Sequence, residues 1–196
     1  MSRLERLAPL TGALAMLLFV AEATLSGNTP DTNAPAHEVV SYWQDHHTQQ
    51  QVAGVLFGLA AVAFVWFGAS LRQALRRAEG DPGRLSSIAF AGTVIIAVGL
   101  LTYAGFGLAI ADAVGKVPES VTQTLNVLTG PAIFITIQVG TLLMLLSVGI
   151  SVLRHGGLPR WIGWVSIVLA VVAATPVGFL AFLALMLYLP TMGILI

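Results

Sequence analysis

Four runs of roughly twenty apolar residues, each fenced by polar or charged side chains, dictate what this chain can become. They cover Leu7 to Leu25, Val52 to Leu71, Leu85 to Ile110 and Pro131 to Leu153. A bilayer core of about 30 Å is crossed by about 20 helical residues, so each run predicts a transmembrane helix. Inside hydrocarbon, a helix is the structure that satisfies the backbone polar groups of a lone segment. The expected fold class is therefore all-α: a polytopic transmembrane helical bundle, one domain over residues 1–196.

Composition narrows the function classes. The chain is 57% hydrophobic and 9% charged, against about 25% charged in ordinary soluble domains. Its mean hydropathy is +0.88. Nine Lys and Arg balance nine Asp and Glu, which leaves no basic excess to neutralise phosphates, so nucleic acid is not an expected partner. The lipid bilayer is; a homo-oligomer or a membrane-complex partner is also compatible. With no cysteine, disulfides, thiolate metal sites, cysteine nucleophiles and S-palmitoylation are excluded. No cofactor is expected.

The C-terminal stretch decides the span count. Trp161 to Ile196 carries no charge, and as one helix it would reach about 54 Å, well beyond a bilayer core. Thr175-Pro-Val-Gly178 is a suitable turn. The reading is two spans, 158–174 and 178–196, for a total of six with 7–25, 52–71, 85–110 and 131–153. The alternative is five, with one long helix kinked at Pro176, because proline is tolerated inside membrane helices.

Charge sets the expected orientation. Arg3, Arg6, Arg72, Arg76, Arg77, Arg84, Arg154 and Arg160 fall on one side of an alternating topology, and Lys116 falls on the other. By the positive-inside rule the N-terminus is cytoplasmic in the cell membrane. The Ala21-Glu22-Ala23 pattern also resembles a signal cleavage site; the expectation is that residues 1–23 are retained as the first span. Trp161 and Trp164 are expected at the inner interface.

Residues 26–51 form the longest polar stretch and are expected to be an extracytoplasmic loop with a short interfacial helix. Tyr42 and Trp43 are expected at the headgroup level of that helix. Ser120-Val-Thr-Gln123 matches a capping box before the fourth span. Gly54-Val-Leu-Phe-Gly58 is a G-x-x-x-G pattern, which predicts that both glycines face a close helix neighbour.

Candidate chemistry is sparse. Glu22 is the one acidic residue inside an apolar run, and an intramembrane carboxylate marks an ion path, a ligand site or a general acid unless it caps a local polar contact. His37, Glu38, Asp45, His46 and His47 are the densest set of potential ligands. Their spacing matches no metal motif, so no metal is expected. Asp112 falls on the same face as these residues. Within the spans, Tyr103, Gln138 and Thr141 are polar; Gln138 and Thr141 share a helix face and either line a cavity or hydrogen-bond across helices. By elimination, any site is expected in the outer half around Glu22. His46 or His47 would be its acid–base partner in an enzyme, and Asp45, Asp112, Tyr103 and Gln138 are the ligand-binding candidates. The arginines between the second and third spans could also meet anionic lipid.

Three segments carry a wider resemblance: GNTPDTNAPAHEVVSYWQDHH, SLRQALRRAEGDPGRLSSIAFAG and GLPRWIGWVSIVLAV. Together they give a layout that resembles small bacterial multi-pass membrane proteins of unknown function over nearly the full chain. The resemblance implies a helical membrane bundle and no particular activity. Three functions fit this reading. One is a non-enzymatic bundle that binds lipid or assists a membrane complex. Another is a small transporter or channel subunit. The third is a membrane enzyme that works on an apolar substrate through an outer-half Glu/His site.

Overall fold

The protein is described by a computed structural model covering residues 8–130 and 133–196. Arg3, Arg6 and the expected start of the fourth span at Pro131 lie outside the described residues. Among the described residues there are eight α-helices and no strand. After a 3-10 turn at Ala8–Leu10 come α1 (Thr11–Ser26), α2 (Ala36–Asp45), α3 (His47–Glu79), α4 (Arg84–Ala113), α5 (Glu119–Leu128), α6 (Phe134–His155), α7 (Arg160–Ala173) and α8 (Phe179–Leu195).

Four segments are long and apolar enough to cross a membrane: α1 with its leading turn, α3, α4 and α6. At about 1.5 Å per residue, the 33 residues of α3 extend roughly 50 Å, so its ends project beyond any apolar layer. The shorter α7 and α8 have 14 and 17 residues. The chain breaks between them at 174–178, where the sequence calls for a turn. The hydroxyl oxygens of Ser166 and Tyr188 then meet at 2.7 Å. Ser166 precedes the end of α7 by about as much as Tyr188 follows the start of α8, so the pair is an antiparallel hairpin and not one kinked rod.

Six helices close into a ring in chain order: α1 against α3, α3 against α4, α4 against α6, α6 against α7, α7 against α8, and α8 back against α1. Phe182 of α8 sits at the centre, edge-on to Phe19 at 5.0 Å and stacked with Phe64 at 6.3 Å. Such aromatic pairs add about 0.5–1.5 kcal/mol beyond their area. The surrounding core is Phe57, Phe67, Ile96, Leu100, Met144, Leu145 and Leu189. Outward faces are equally apolar: Leu187 is 80% exposed and Trp164 63%.

Closure puts Pro9 beside Gly193, and Ile196 lines a crevice with Ala8, Ser70 and Arg77. The described start and the end of the chain thus share one end of the bundle. The same end carries Arg72, Arg76, Arg77, Arg84, Arg154 and Arg160, and Trp161 and Trp164 stand exposed at the start of α7. Its tightest turn is held by Glu79, whose carboxylate accepts the N–H groups of Leu85 and Ser86 at 2.7 and 2.9 Å and so caps α4. The opposite end holds Asp31, Glu38, Asp45, Asp112 and Glu119 with Lys116.

At that acidic end α2 and α5 pack on each other over the end of α4 and enclose a second small core of Ala34, Val39, Trp43, Ile110 and Ala111. Trp43 is 2% exposed, and its indole N–H donates to Asn126 Oδ1 at 3.0 Å, so its ring faces α5 and not the surroundings of the bundle. A buried indole needs a partner, and α5 supplies one. Ser120 does not cap α5, which begins one residue earlier with Pro118 at the N-cap. Finally, Gly54 and Gly58 do not share a packed face. A Cβ on Gly54 would lie 2.8 Å from Leu108, whereas Gly58 has open space before it. Four residues rotate a helix by about 400°, and that extra 40° carries Gly58 off the contact.

Candidate functional site

Glu22 and Ser26 are four apart on α1 and so share a face. The Ser26 hydroxyl donates to Glu22 Oε1 at 2.6 Å, and Glu22 is 4% exposed. Gly27 then ends the helix with φ of 62°, a left-handed value glycine adopts without strain. A helix end leaves carbonyls without partners. Here side chains from α2 and α3 satisfy them. Tyr42 Oη donates to the Ser26 carbonyl at 2.5 Å, Gln50 Nε2 reaches the same oxygen at 3.2 Å, and Gln49 Nε2 donates to the Leu25 carbonyl. Gln50 Nε2 also donates to Tyr42 Oη at 2.7 Å. Burial holds the Tyr42 phenol above its ordinary ionisation range, against the pull of the Gln50 hydrogen bond. Tyr42 therefore stays a donor at neutral pH.

Beneath this network lies a small cavity of about 10 Å³ lined by Glu22, Trp43, Gln50, Tyr103, Gly107 and Thr129. That is room for about one water-sized group. Above it the acidic end opens into two clefts on either side of the 27–33 loop. One, of about 830 Å³, is lined by Asp31, His37, Glu38, Tyr42 and Asp45. The other, of about 660 Å³, is lined by the polar residues Asp31, Thr32, Asn33 and Asn126 together with the aromatic Tyr103 and Phe134. Tyr103 and Thr129 line both the second cleft and the small cavity. These two side chains are the partition between the open cleft and the buried carboxyl group. Tyr103 continues an aromatic row, with ring centroids 5.0 Å from Phe57 and 5.7 Å from Phe134, which in turn lies 5.8 Å from Phe179.

The structure thus brings Glu22 and Tyr103 to one cavity and places the other candidates elsewhere. His46 occupies the break between α2 and α3. Its ring stacks on Tyr42 with centroids 4.5 Å apart, and its Nδ1 lies 2.9 Å from the Tyr42 carbonyl. His47 is turned toward Gln51, with nitrogens 3.5 Å apart. Among the described residues neither histidine hydrogen-bonds Glu22 directly. Asp45 is exposed and receives the Ser41 hydroxyl at 3.4 Å. Asp112 is exposed and paired with Lys116 at 2.7 Å. Gln138 works at a different place: its Nε2 donates to the Ala173 and Thr175 carbonyls at 2.9 and 2.8 Å and ties α6 to the α7–α8 turn. Thr141 bonds back to Ile137 of its own helix. Among the described residues no three His, Asp or Glu side chains gather as a metal site would require.

Sequence reasoning missed Ser26, Gln50, Asn126 and Thr129. Ser26 was legible as the i+4 neighbour of Glu22, and Gln49-Gln50 as amides at the mouth of a span. Asn126 was not, since 83 residues separate it from Trp43.

No family model matches this chain, and neither a curated protein nor a solved structure matches it. The chemistry of the site is its own guide.

Proposed function

We propose that this chain is a six-span integral membrane protein with both termini on the cytoplasmic side, and that its outer cleft binds an amphiphile from the outer half of the bilayer. The topology rests on the gathering of six arginines at the end shared by Pro9 and Ile196, read through the positive-inside rule. The binding function rests on one observation: the cleft over Tyr103 is lined by polar residues and by two aromatic ones together. A pocket of several hundred Å³ with an apolar side and a few polar groups is the usual form of a small-molecule site. This reading is of a binding protein, because the Glu22 carboxyl group is engaged by the Ser26 hydroxyl and the cleft beside it is open and mixed in polarity.

A brominated twelve-carbon amphiphile tests it. The probe is titrated against a protein in which Trp66, Trp161 and Trp164 are replaced by Phe, leaving Trp43 beside the cleft as the only indole. Saturable quenching of Trp43 that weakens about tenfold in Phe134→Ala, as loss of an aromatic contact predicts, supports the reading. Quenching that rises without saturation and ignores Phe134→Ala overturns it.

A further inference from the structure

The small cavity specifies what the head of that amphiphile must be, an inference that rests on the binding function just proposed. Three observations converge on it. Glu22 is almost fully buried, and the Ser26 hydroxyl occupies Oε1, which leaves the second carboxyl oxygen to accept. Gln50 lines the same cavity and spends its amide nitrogen on Tyr42 Oη and the Ser26 carbonyl, so its carbonyl oxygen is also left as an acceptor. The Thr129 hydroxyl at the partition is donated to the Asn126 carbonyl at 2.8 Å. Tyr103 brings one hydroxyl donor to the same cavity, so with Glu22 ionised these two acceptors outnumber the donors there. What enters must donate hydrogen bonds.

Size narrows the class. A volume of about 10 Å³ takes one water-sized group. An ammonium group fits; a trimethylammonium or phosphate group does not. An ammonium also brings its own positive charge to the carboxyl oxygen, so that its hydrogen bond is an ion pair as well, which a hydroxyl of equal size cannot form. Tyr103 and Thr129 stand where such a head would pass, and Tyr103 continues into Phe134 for the chain behind it. We propose that Glu22, Gln50 and Tyr103 form a subsite for a primary ammonium head, reached from the outer cleft past Thr129, with the apolar tail of the ligand lying against Tyr103 and Phe134.

Competition with the brominated probe separates this from the broader reading. Dodecylamine, dodecanol and dodecyltrimethylammonium share a tail and differ in the head. Dodecylamine is expected to displace the probe at about tenfold lower concentration than either of the others, the yield of one charge-assisted hydrogen bond. Glu22→Gln should remove that preference, so that dodecylamine and dodecanol displace the probe at similar concentrations. Equal displacement by all three heads, or a preference for dodecylamine that survives Glu22→Gln, overturns the subsite while the amphiphile cleft stands. If the probe never binds saturably, both fall. The comparison of heads on the unmodified protein decides the matter by itself should Glu22→Gln fail to fold.

Discussion

Gly92 of α4 and Gly140 of α6 cross backbone to backbone. A Cβ built on Gly92 would lie 2.7 Å from the Gly140 carbonyl oxygen and 2.5 Å from the Met144 nitrogen; one on Gly140 would lie 2.7 Å from the Gly92 carbonyl oxygen and from the Ile96 nitrogen. The three atoms nearest to a Cβ on Gly92 are all backbone, and at Gly140 two of the three are, the third being Ile96 Cγ1 at 2.8 Å. Small residues that let backbones approach are a principal means by which membrane helices associate, since lipid is as apolar as leucine.

Replacing either glycine at this crossing should force α4 and α6 apart. Gly140→Leu is expected to cost at least the 1–3 kcal/mol or so typical of overpacking, seen as a lower melting temperature in detergent. Gly58→Leu, which meets open space, should melt with the parent protein. Equal effects of the two substitutions would show that the α4–α6 crossing is not the tight one.

The two short helices at the acidic end are fastened by Trp43 and Asn126. Asn126 Nδ2 also donates to the Pro30 carbonyl at 3.2 Å, and Gln123 reaches the Ala34 carbonyl at 2.8 Å. Asn126→Leu leaves a buried indole N–H without an acceptor, a loss of about 1–3 kcal/mol. Protease should then cut the 27–35 loop faster while the turn at 80–83 keeps its parental rate. A uniform rise at both places would mean that the whole bundle had loosened.

Gln138 holds the α7–α8 turn through two carbonyls. Gln138→Leu should lower stability by about 1–3 kcal/mol through the Ala173 oxygen left without its donor, while the Thr175 oxygen keeps the Gly178 N–H at 2.9 Å. Thr141→Val removes only a bond back to its own helix, an interaction that adds little and often bends helices, and should leave the melting temperature unchanged. Indistinguishable melting of both variants and the parent would remove Gln138 from its assigned role.

Both ends of the chain are expected on the cytoplasmic side. Reporter fusions at Ile196 and insertions in the 80–83 turn should read the same compartment, and insertions at 114–118 the opposite one. A C-terminal reporter that agrees with 114–118 would leave five crossings instead of six.

What the sequence determined by itself is everything that runs along one dimension. Apolar length marked the four runs that form the long helices α1, α3, α4 and α6, the Thr175–Gly178 composition marked the break between α7 and α8, and the arginines fell on one side of the alternating chain as they gather at one end of the bundle. Each depends on a residue and its near neighbours in the chain. Tertiary structure alone decided which faces meet. In a soluble helix a polar stripe reveals the outward face, but the sides of α1 and α8 that meet lipid are as apolar as those that meet protein, so periodicity carries no phase. A rotation of 40° is enough to separate Gly54 from Gly58, and it cannot be read from spacing. For the same reason Gly92 with Gly140, Trp43 with Asn126, and Tyr103 with Glu22 became visible only once the ring had closed and fixed the rotation of every helix about its own axis.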